Sequence, residues 1–230
     1  MMHDSKDAHV SKTIIYRPFE QKDYGQCREL FASGILENAK GIAKLAFYKY
    51  LPYAIILLLP IVAIRCSILD VLVYFGACSI LTLMLYFAAY EQVKFYVKHY
   101  GLDADLKDIA EYYKDGSCMF VVELDGNVVG MCAVAKKGHH KPGEAELQRM
   151  SVSPAFRKQG IAKQLIKLIE EFCNDHQYNR LILSTLNSYS GALAVYKKCG
   201  FKLITTEPFP YKIFQGIEIE THGKDIATRD

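Results

Sequence analysis

The stretch Val71–Tyr90, VLVYFGACSILTLMLYFAAY, is twenty residues without a single charge. At ~1.5 Å rise per residue it would make a helix about 30 Å long, which matches the hydrocarbon thickness of a bilayer. A helix apolar on every face has nothing to gain from one exposed side in water, so it belongs either in a large core or in lipid. A second apolar run, Tyr50–Ile64, precedes it between Lys49 and Arg65 and contains Pro52 and Pro60. Fifteen residues are short for a span, although Lys49 and Arg65 can extend outward to the interface. Two architectures are therefore open: a helical hairpin buried in a soluble core, or a membrane hairpin or re-entrant pair. A chain of 230 residues offers little core in which to hide such a pair. Lys40, Lys44 and Lys49 precede the insert and Lys94 and Lys98 follow it, against Arg65 offset by Asp70 between the runs. That distribution places both polar flanks on the cytoplasmic side. The expected organisation is residues 1–44 as the start of one polar domain, 45–90 as a membrane insert, and 91–230 as the rest of that domain.

The polar parts read as α/β. TIIYRPF has strand-forming composition, and the segment after it sets Tyr24, Cys27, Leu30 and Phe31 at helical spacing. Beyond the insert, Asp103–Tyr113 is predicted helical, with Leu106, Ile109 and Ala110 on one side. CMFVVEL and VVGMCAVA flank Asp125-Gly126-Asn127, a strong hairpin signal. Next come a strand over Ala145–Val152, a helix with Ile161, Leu165, Leu168, Ile169 and Phe172 on its buried stripe, and the strand RLILST. A second helix, SGALAVYKKC, is closed by Gly200, and two strand-like segments follow, FKLITTE and YKIFQGIEIE. The pattern predicts a mostly antiparallel mixed sheet flanked by helices.

Composition narrows the function. The 28 basic and 25 acidic side chains leave a net charge of +3, unlike the concentrated basic surface of a nucleic-acid binder. Seven cysteines, Cys27, Cys66, Cys78, Cys118, Cys132, Cys173 and Cys199, are scattered and never form CxxC, so they read as reduced thiols. No group of residues has metal-ligand spacing. The N-terminal residues show neither a signal peptide nor a myristoylation signal.

Chemistry concentrates in Arg157-Lys158-Gln159-Gly160-Ile161-Ala162-Lys163, between a predicted strand and a predicted helix. Free N–H groups at a helix start attract anions, and Gly160 lets a phosphate come close to the backbone. Arg157, Lys158 and Lys163 are ill placed at a helix N-terminus unless an anion is present. Locally, an anion site and a plain basic helix start remain open alternatives.

In context, R-x-x-G-x-A after RMSVSP resembles the pyrophosphate-binding motif of the GNAT acetyltransferase superfamily. The segment Asn187 to Phe201, with Ala192, Tyr196 and Gly200, resembles a second motif of that superfamily. Together with the hydrophobic insert, the chain is similar to its membrane-anchored, camello-like branch, which includes aspartate and cysteine S-conjugate N-acetyltransferases. The resemblance implies a GNAT fold with an inserted membrane hairpin, acetyl-CoA as co-substrate, no metal, and a small primary amine as acceptor. It also implies an endoplasmic-reticulum membrane location with the catalytic domain facing the cytosol. Protein-lysine acetylation and a non-catalytic CoA-binding scaffold are the rival functions.

The resemblance also assigns roles. Arg157 to Lys163 would cradle the pyrophosphate, and Met150, Ser151 and Val152 would offer backbone groups to the pantetheine arm and thioester carbonyl. Glu146, eleven residues before Arg157, would be the general base. Its plain alternative is a solvated strand carboxylate, and Glu144 is a weaker substitute. Tyr196 would protonate the departing sulfur, against core packing as its ordinary role. Asn187 would bond the pantetheine amides, or simply cap a helix. Arg149 would grip an acceptor carboxylate. Strand alternation sets it opposite Glu146 unless a bulge intervenes, and a surface or cofactor-phosphate role stays open. A basic loop holding Lys136, Lys137, His139, His140 and Lys141 could attract an anionic substrate or be merely solvated.

Overall fold

The computed structural model describes residues 13–37, 52, 56, 67–138, 140–210 and 216–227. Seven strands form one sheet: β1 (Ile14–Pro18), β2 (Cys118–Leu124), β3 (Asn127–Ala135), β4 (Glu144–Val152), β5 (Arg180–Leu186), β6 (Lys202–Pro208) and β7 (Glu218–Asp225). Their spatial order is β1-β2-β3-β4-β5-β7-β6. Every neighbouring pair is antiparallel except β4 and β5. The helices are α1 (24–37), α2 (Ile68–Val97), α3 (Ile109–Tyr112), α4 (Ile161–Asp175) and α5 (Ser190–Lys198).

Strand alternation divides the interior in two. On one face, Phe120, Val122, Cys132, Val134, Ala145 and Leu147 pack with α4 and α5. On the other, Met119, Val121, Met131, Ala133 and Ala135 meet Cys27, Leu30 and Phe31 of α1, with Leu106, Ile109 and Tyr113. Burial pushes the Cys27 thiol up to about 12. Among the described residues, Cys27, Cys78, Cys118, Cys132, Cys173 and Cys199 are free thiols; Cys66 lies outside them.

The uncharged run falls within α2, a 30-residue helix whose start is closed by a capping box between Ser67 and Asp70. The helix and the turn after it are long and apolar enough to cross a bilayer, and none of its eighteen-residue apolar window is buried by the rest of the chain. Leu72, Phe75, Ile80, Leu83, Met84 and Phe87 are exposed. Only the far end docks, through Val93 and Val97. The other half of the expected hairpin, Tyr50–Ile64, lies almost entirely outside the described residues, so one apolar helix is what the structure shows.

Two predicted elements change. The helix over Asp103–Tyr113 contracts to Ile109–Tyr112, capped by Asp108, whose side chain accepts from Glu111 N at 3.1 Å. Residues before it form turns that bury Leu106 and carry Asp105 inward. The final strand is displaced: residues 211–215 are outside the described set, and β7 begins at Glu218 to pair with Leu186 through Arg180.

Candidate active site

The parallel pairing of β4 with β5 comprises Glu144–Arg180, Ala145–Leu181 and Glu146–Ile182, and stops there. Beyond Glu146 the two strands part, leaving the β5-facing edge of Leu147–Val152 open. Polar backbone groups on such an edge need partners, so the gap is suited to a ligand with amides of its own. Met150, Ser151 and Val152 all lie along this open edge, each half-buried.

The expected anion cradle sits at the head of α4. Gly160 is its N-cap with φ 84°, no side chain caps the helix, and its first turn holds no acidic residue. The first-turn N–H groups therefore lack partners within the helix. Lys158 is also left-handed, φ 63°, and left-handed residues in tight turns gather N–H groups into anion-binding concavities. A Cβ on Gly160 would have no atom within 4 Å, so the space in front of the turn is open. Lys158, Gln159, Gly160 and Lys163 are exposed, and Ala162 is half-buried. Ile161 instead turns inward and fixes the helix to the sheet: a Cβ on Gly130 would stand 3.1 Å from Ile161 Cγ2. Arg157 donates from Nε to Val152 O at 3.0 Å and from its two terminal nitrogens to Glu37 at 3.0 and 2.7 Å. Its guanidinium thus stands beside the mouth of the cleft, in an exposed ion pair that an anion can displace.

Glu146 is at the last paired position of β4, with its side chain 17% exposed. It projects to the α1–α3 face, opposite the α4 core that receives Ala145 and Leu147. Lys137 Nζ lies 2.8 Å from Oε2, His140 Nε2 lies 3.6 Å away, and Gln148 Nε2 donates to Oε2 at 2.6 Å. The basic loop therefore closes on the candidate base through Lys137 and His140; His139 is outside the described residues. Glu144, two residues back on the same strand face, accepts from Lys141 N at 3.2 Å and faces Arg180 at 3.6 Å.

Arg149 is on the same face as Glu146, because a bulge does intervene. Ala133 pairs with Gln148 and Met131 with Ser151, so Arg149 and Met150 together oppose Cys132. Arg149 takes φ 53°. Its fork is filled from within the chain: Nε donates to Asp105 Oδ2 at 2.8 Å, Nη2 to Asp105 Oδ1 and to Tyr100 O at 2.7 Å. The guanidinium also covers the Phe31 ring at 4.7 Å. Burial alone would lower its pKa, but the Asp105 bonds and charge outweigh that and the net shift is upward. An acceptor carboxylate would have to displace Asp105, so the structure offers no open grip at Arg149.

Tyr196, on the α5 side, is 6% exposed and stands edge-on to Phe201 with ring centroids 5.8 Å apart. Burial, reinforced by Cys132 on β3, pushes its phenol well above the ordinary value. It therefore keeps its proton throughout the neutral range. Asn187 is engaged within the chain: Nδ2 donates to Gly216 O at 3.3 Å, and Oδ1 accepts from Glu218 N at 3.2 Å. It ties the end of β5 to the start of β7.

Sequence reasoning missed Asp105, Tyr113 and Gln148. Asp105 is only 2% exposed and accepts from the Tyr113 hydroxyl as well as from Arg149. The Tyr113 hydroxyl is also 3.3 Å from Gln148 Oε1. Removing one partner of such a buried pair costs about 3–5 kcal/mol. No local pattern announces it, since Asp105 and Arg149 are 44 residues apart.

Comparison with known proteins agrees with this geometry. The profile of the Acetyltransferase (GNAT) family matches residues 84–201. Rat N-acetylaspartate synthetase is 33% identical over 197 residues, covering 82% of this chain and 63% of that protein's length. Rat N-acetyltransferase family 8 member 2 is 32% identical over 195 residues, 81% of this chain and 83% of that one. A GNAT-family acetyltransferase of Staphylococcus aureus, 15% identical, shares the fold with a TM-score of 0.54 over 94% of this chain and 100% of its own. From the cradle at Gly160, the parted strands and these matches together, the chain belongs to the GNAT acetyltransferase family.

Proposed function

We propose that the chain is a membrane-anchored, acetyl-CoA-dependent N-acetyltransferase whose acceptor is the primary amine of an amino acid or amino-acid conjugate. The observation that carries this reading is the parting of β4 and β5 at Glu146–Ile182, with the α4 cradle at one side and Glu146 at the other. The residues present fit the co-substrate: an open left-handed turn suits a pyrophosphate, and the free β4 edge suits the amides of a pantetheine arm. When bound, acetyl-CoA supplies the activated acetyl thioester. Glu146 takes up the proton that the acceptor amine loses, directly or through water. Backbone groups of Met150, Ser151 and Val152 hold and polarise the donor carbonyl. Tyr196, kept neutral by burial, gives its proton to the departing sulfur.

A small anionic acceptor is favoured over a protein lysine by what surrounds Glu146. Lys137 and His140 stand beside it, and the positive charge of Lys137 suits a carboxylate-bearing amine better than a basic peptide. The name of one relative, N-acetylaspartate synthetase, points the same way. The direct test is amine-dependent release of free thiol from acetyl-CoA.

Membrane attachment is the second part of the proposal. It rests on the bare apolar face of α2 and on Tyr90, Lys94, Tyr96, Lys98 and Tyr100 where the helix meets the domain. Aromatic and basic residues at a helix end are typical of the bilayer interface, and Lys on that side sets the domain in the cytosol. We place it in the endoplasmic reticulum by family resemblance alone. The full chain should remain in the pellet after alkaline carbonate and be released by detergent. Release by carbonate without detergent would show that α2 is not embedded.

A further inference from the structure

We propose that Asp105 is a positioning residue for acetyl transfer, holding the Arg149 bulge and through it the shape of the β4 edge. The inference rests on the reading of that edge as the acetyl site.

Arg149 is a long, branched-fork side chain in a backbone conformation that non-glycine residues rarely adopt, φ 53°. Such strain persists only where the surroundings over-determine it. Here they do so from three directions. Asp105 takes both Nε and Nη2, Tyr100 O takes Nη2 again at 2.7 Å, and Phe31 lies under the guanidinium plane. Asp105 is in turn fixed by the Tyr113 hydroxyl. The bulge is also where β4 changes which side chains face which core: Gln148 pairs with Ala133 before it, and Ser151 with Met131 after it. A one-residue relaxation would therefore rotate Met150, Ser151 and Val152 along the open edge.

The same network reaches the candidate base. Tyr113 stands 3.3 Å from Gln148 Oε1, and Gln148 Nε2 donates to Glu146 at 2.6 Å. Hydrogen bonds to Asp105 thus join Tyr113 to Arg149 at the bulge, and the Tyr113 hydroxyl, its one proton given to Asp105, packs against the Gln148 amide that binds Glu146. An apolar pair would fill this space at less desolvation cost, so stability alone is a weak reason for a buried ion pair here. It is the one strained residue of the catalytic strand that the pair secures.

The test uses the full chain in detergent, labelled with 15N-methionine. The sequence has six methionines, and the Met150 amide is assigned by its loss in Met150→Leu. Asp105→Asn is expected to lower kcat about 100-fold, as expected for a small misplacement of reacting groups. KM for amine and for acetyl-CoA should stay within about threefold, and the Met150 amide should shift. In the Asp105→Asn background, Arg149→Gly should outperform Arg149→Ala by about fivefold in kcat, because glycine takes the left-handed conformation freely. A pair that merely stabilises the sheet predicts the reverse order, since glycine weakens strands. The double variants leave no orphan charge and stay measurable if the single variant folds poorly. The proposal is overturned if Asp105→Asn keeps kcat within about twofold of the parent chain with the Met150 amide unmoved, or if Arg149→Ala equals or exceeds Arg149→Gly. The amide shift is read without turnover. A chain with no amine-dependent activity would thus count against acetyl transfer, while the shift still decides the role of Asp105.

Discussion

Glu146→Gln should reduce kcat by about a thousandfold at neutral pH, within the range that general bases supply. The substitution keeps the shape of the side chain and its contact with Gln148, so the strand pairing with Ala135 and Ile182 has no reason to change. What is lost is the acceptor for the amine proton. The deficit should therefore shrink as pH rises toward the pKa of the acceptor amine, because neutral amine then forms in solution without a base. Glu144→Gln, on the same strand face, is the matched control: its carboxylate accepts from Lys141 N and faces Arg180, whereas Lys137 and Gln148 engage Glu146. The rate profile of both variants from about pH 7 up toward the acceptor amine's own pKa checks the assignment. Full activity in Glu146→Gln would return that residue to the role of a strand carboxylate paired with Lys137.

Tyr196→Phe should cost about 10- to 100-fold in kcat and leave KM for acetyl-CoA nearly unchanged. One atom is removed from a ring whose packing on Phe201 and the α4–β face remains. A large rate effect without a matching loss of stability would separate proton donation from core packing. The pH dependence gives an independent check. Burial raises this phenol above its ordinary value of 10.0. The sign follows directly: stability linked to it is fully present below the unfolded value and is lost only as pH rises toward the higher folded value. No decline in turnover below about pH 10 should therefore trace to Tyr196. If Tyr196→Phe runs at the parent rate, the tyrosine is a core residue and the leaving sulfur is protonated from elsewhere.

Much of this fold was legible because its signals are local. The apolar runs CMFVVEL and VVGMCAVA on either side of Asp125-Gly126-Asn127 correspond to β2 and β3, and the Ile161–Leu165–Ile169 stripe to the buried side of α4. At Gly160 and its basic neighbours local chemistry left an anion site and a plain helix start both open, because the conflict with the helix dipole names no ligand. The uncharged run within α2 was legible as a long apolar helix from length and composition alone. The failures are equally physical. Leu106 and Ile109 suggested a helix by spacing, yet both are buried from a turn and a four-residue helix, because Asp105 is drawn inward by Arg149. Periodicity carries no information about a charge partner 44 residues away. For the same reason Arg149 looked available to a substrate carboxylate: its type and strand position were visible, its internal partner was not. Asn187 was named for its motif, and its bonds to Gly216, before β7, and to Glu218, at the start of β7, were not visible in the sequence.

The most direct measurement of the central claim is free thiol release from acetyl-CoA by the purified full chain in detergent, run against a panel of amines. The panel should contain acidic amino acids, cysteine S-conjugates, neutral amino acids and a lysine peptide. The account predicts release that depends on amine, is greatest with a small carboxylate-bearing amino acid or conjugate, and is lost in Glu146→Gln. Release no greater with any amine than without one, from a chain that still binds acetyl-CoA, would contradict it and leave a CoA-binding protein without transferase activity.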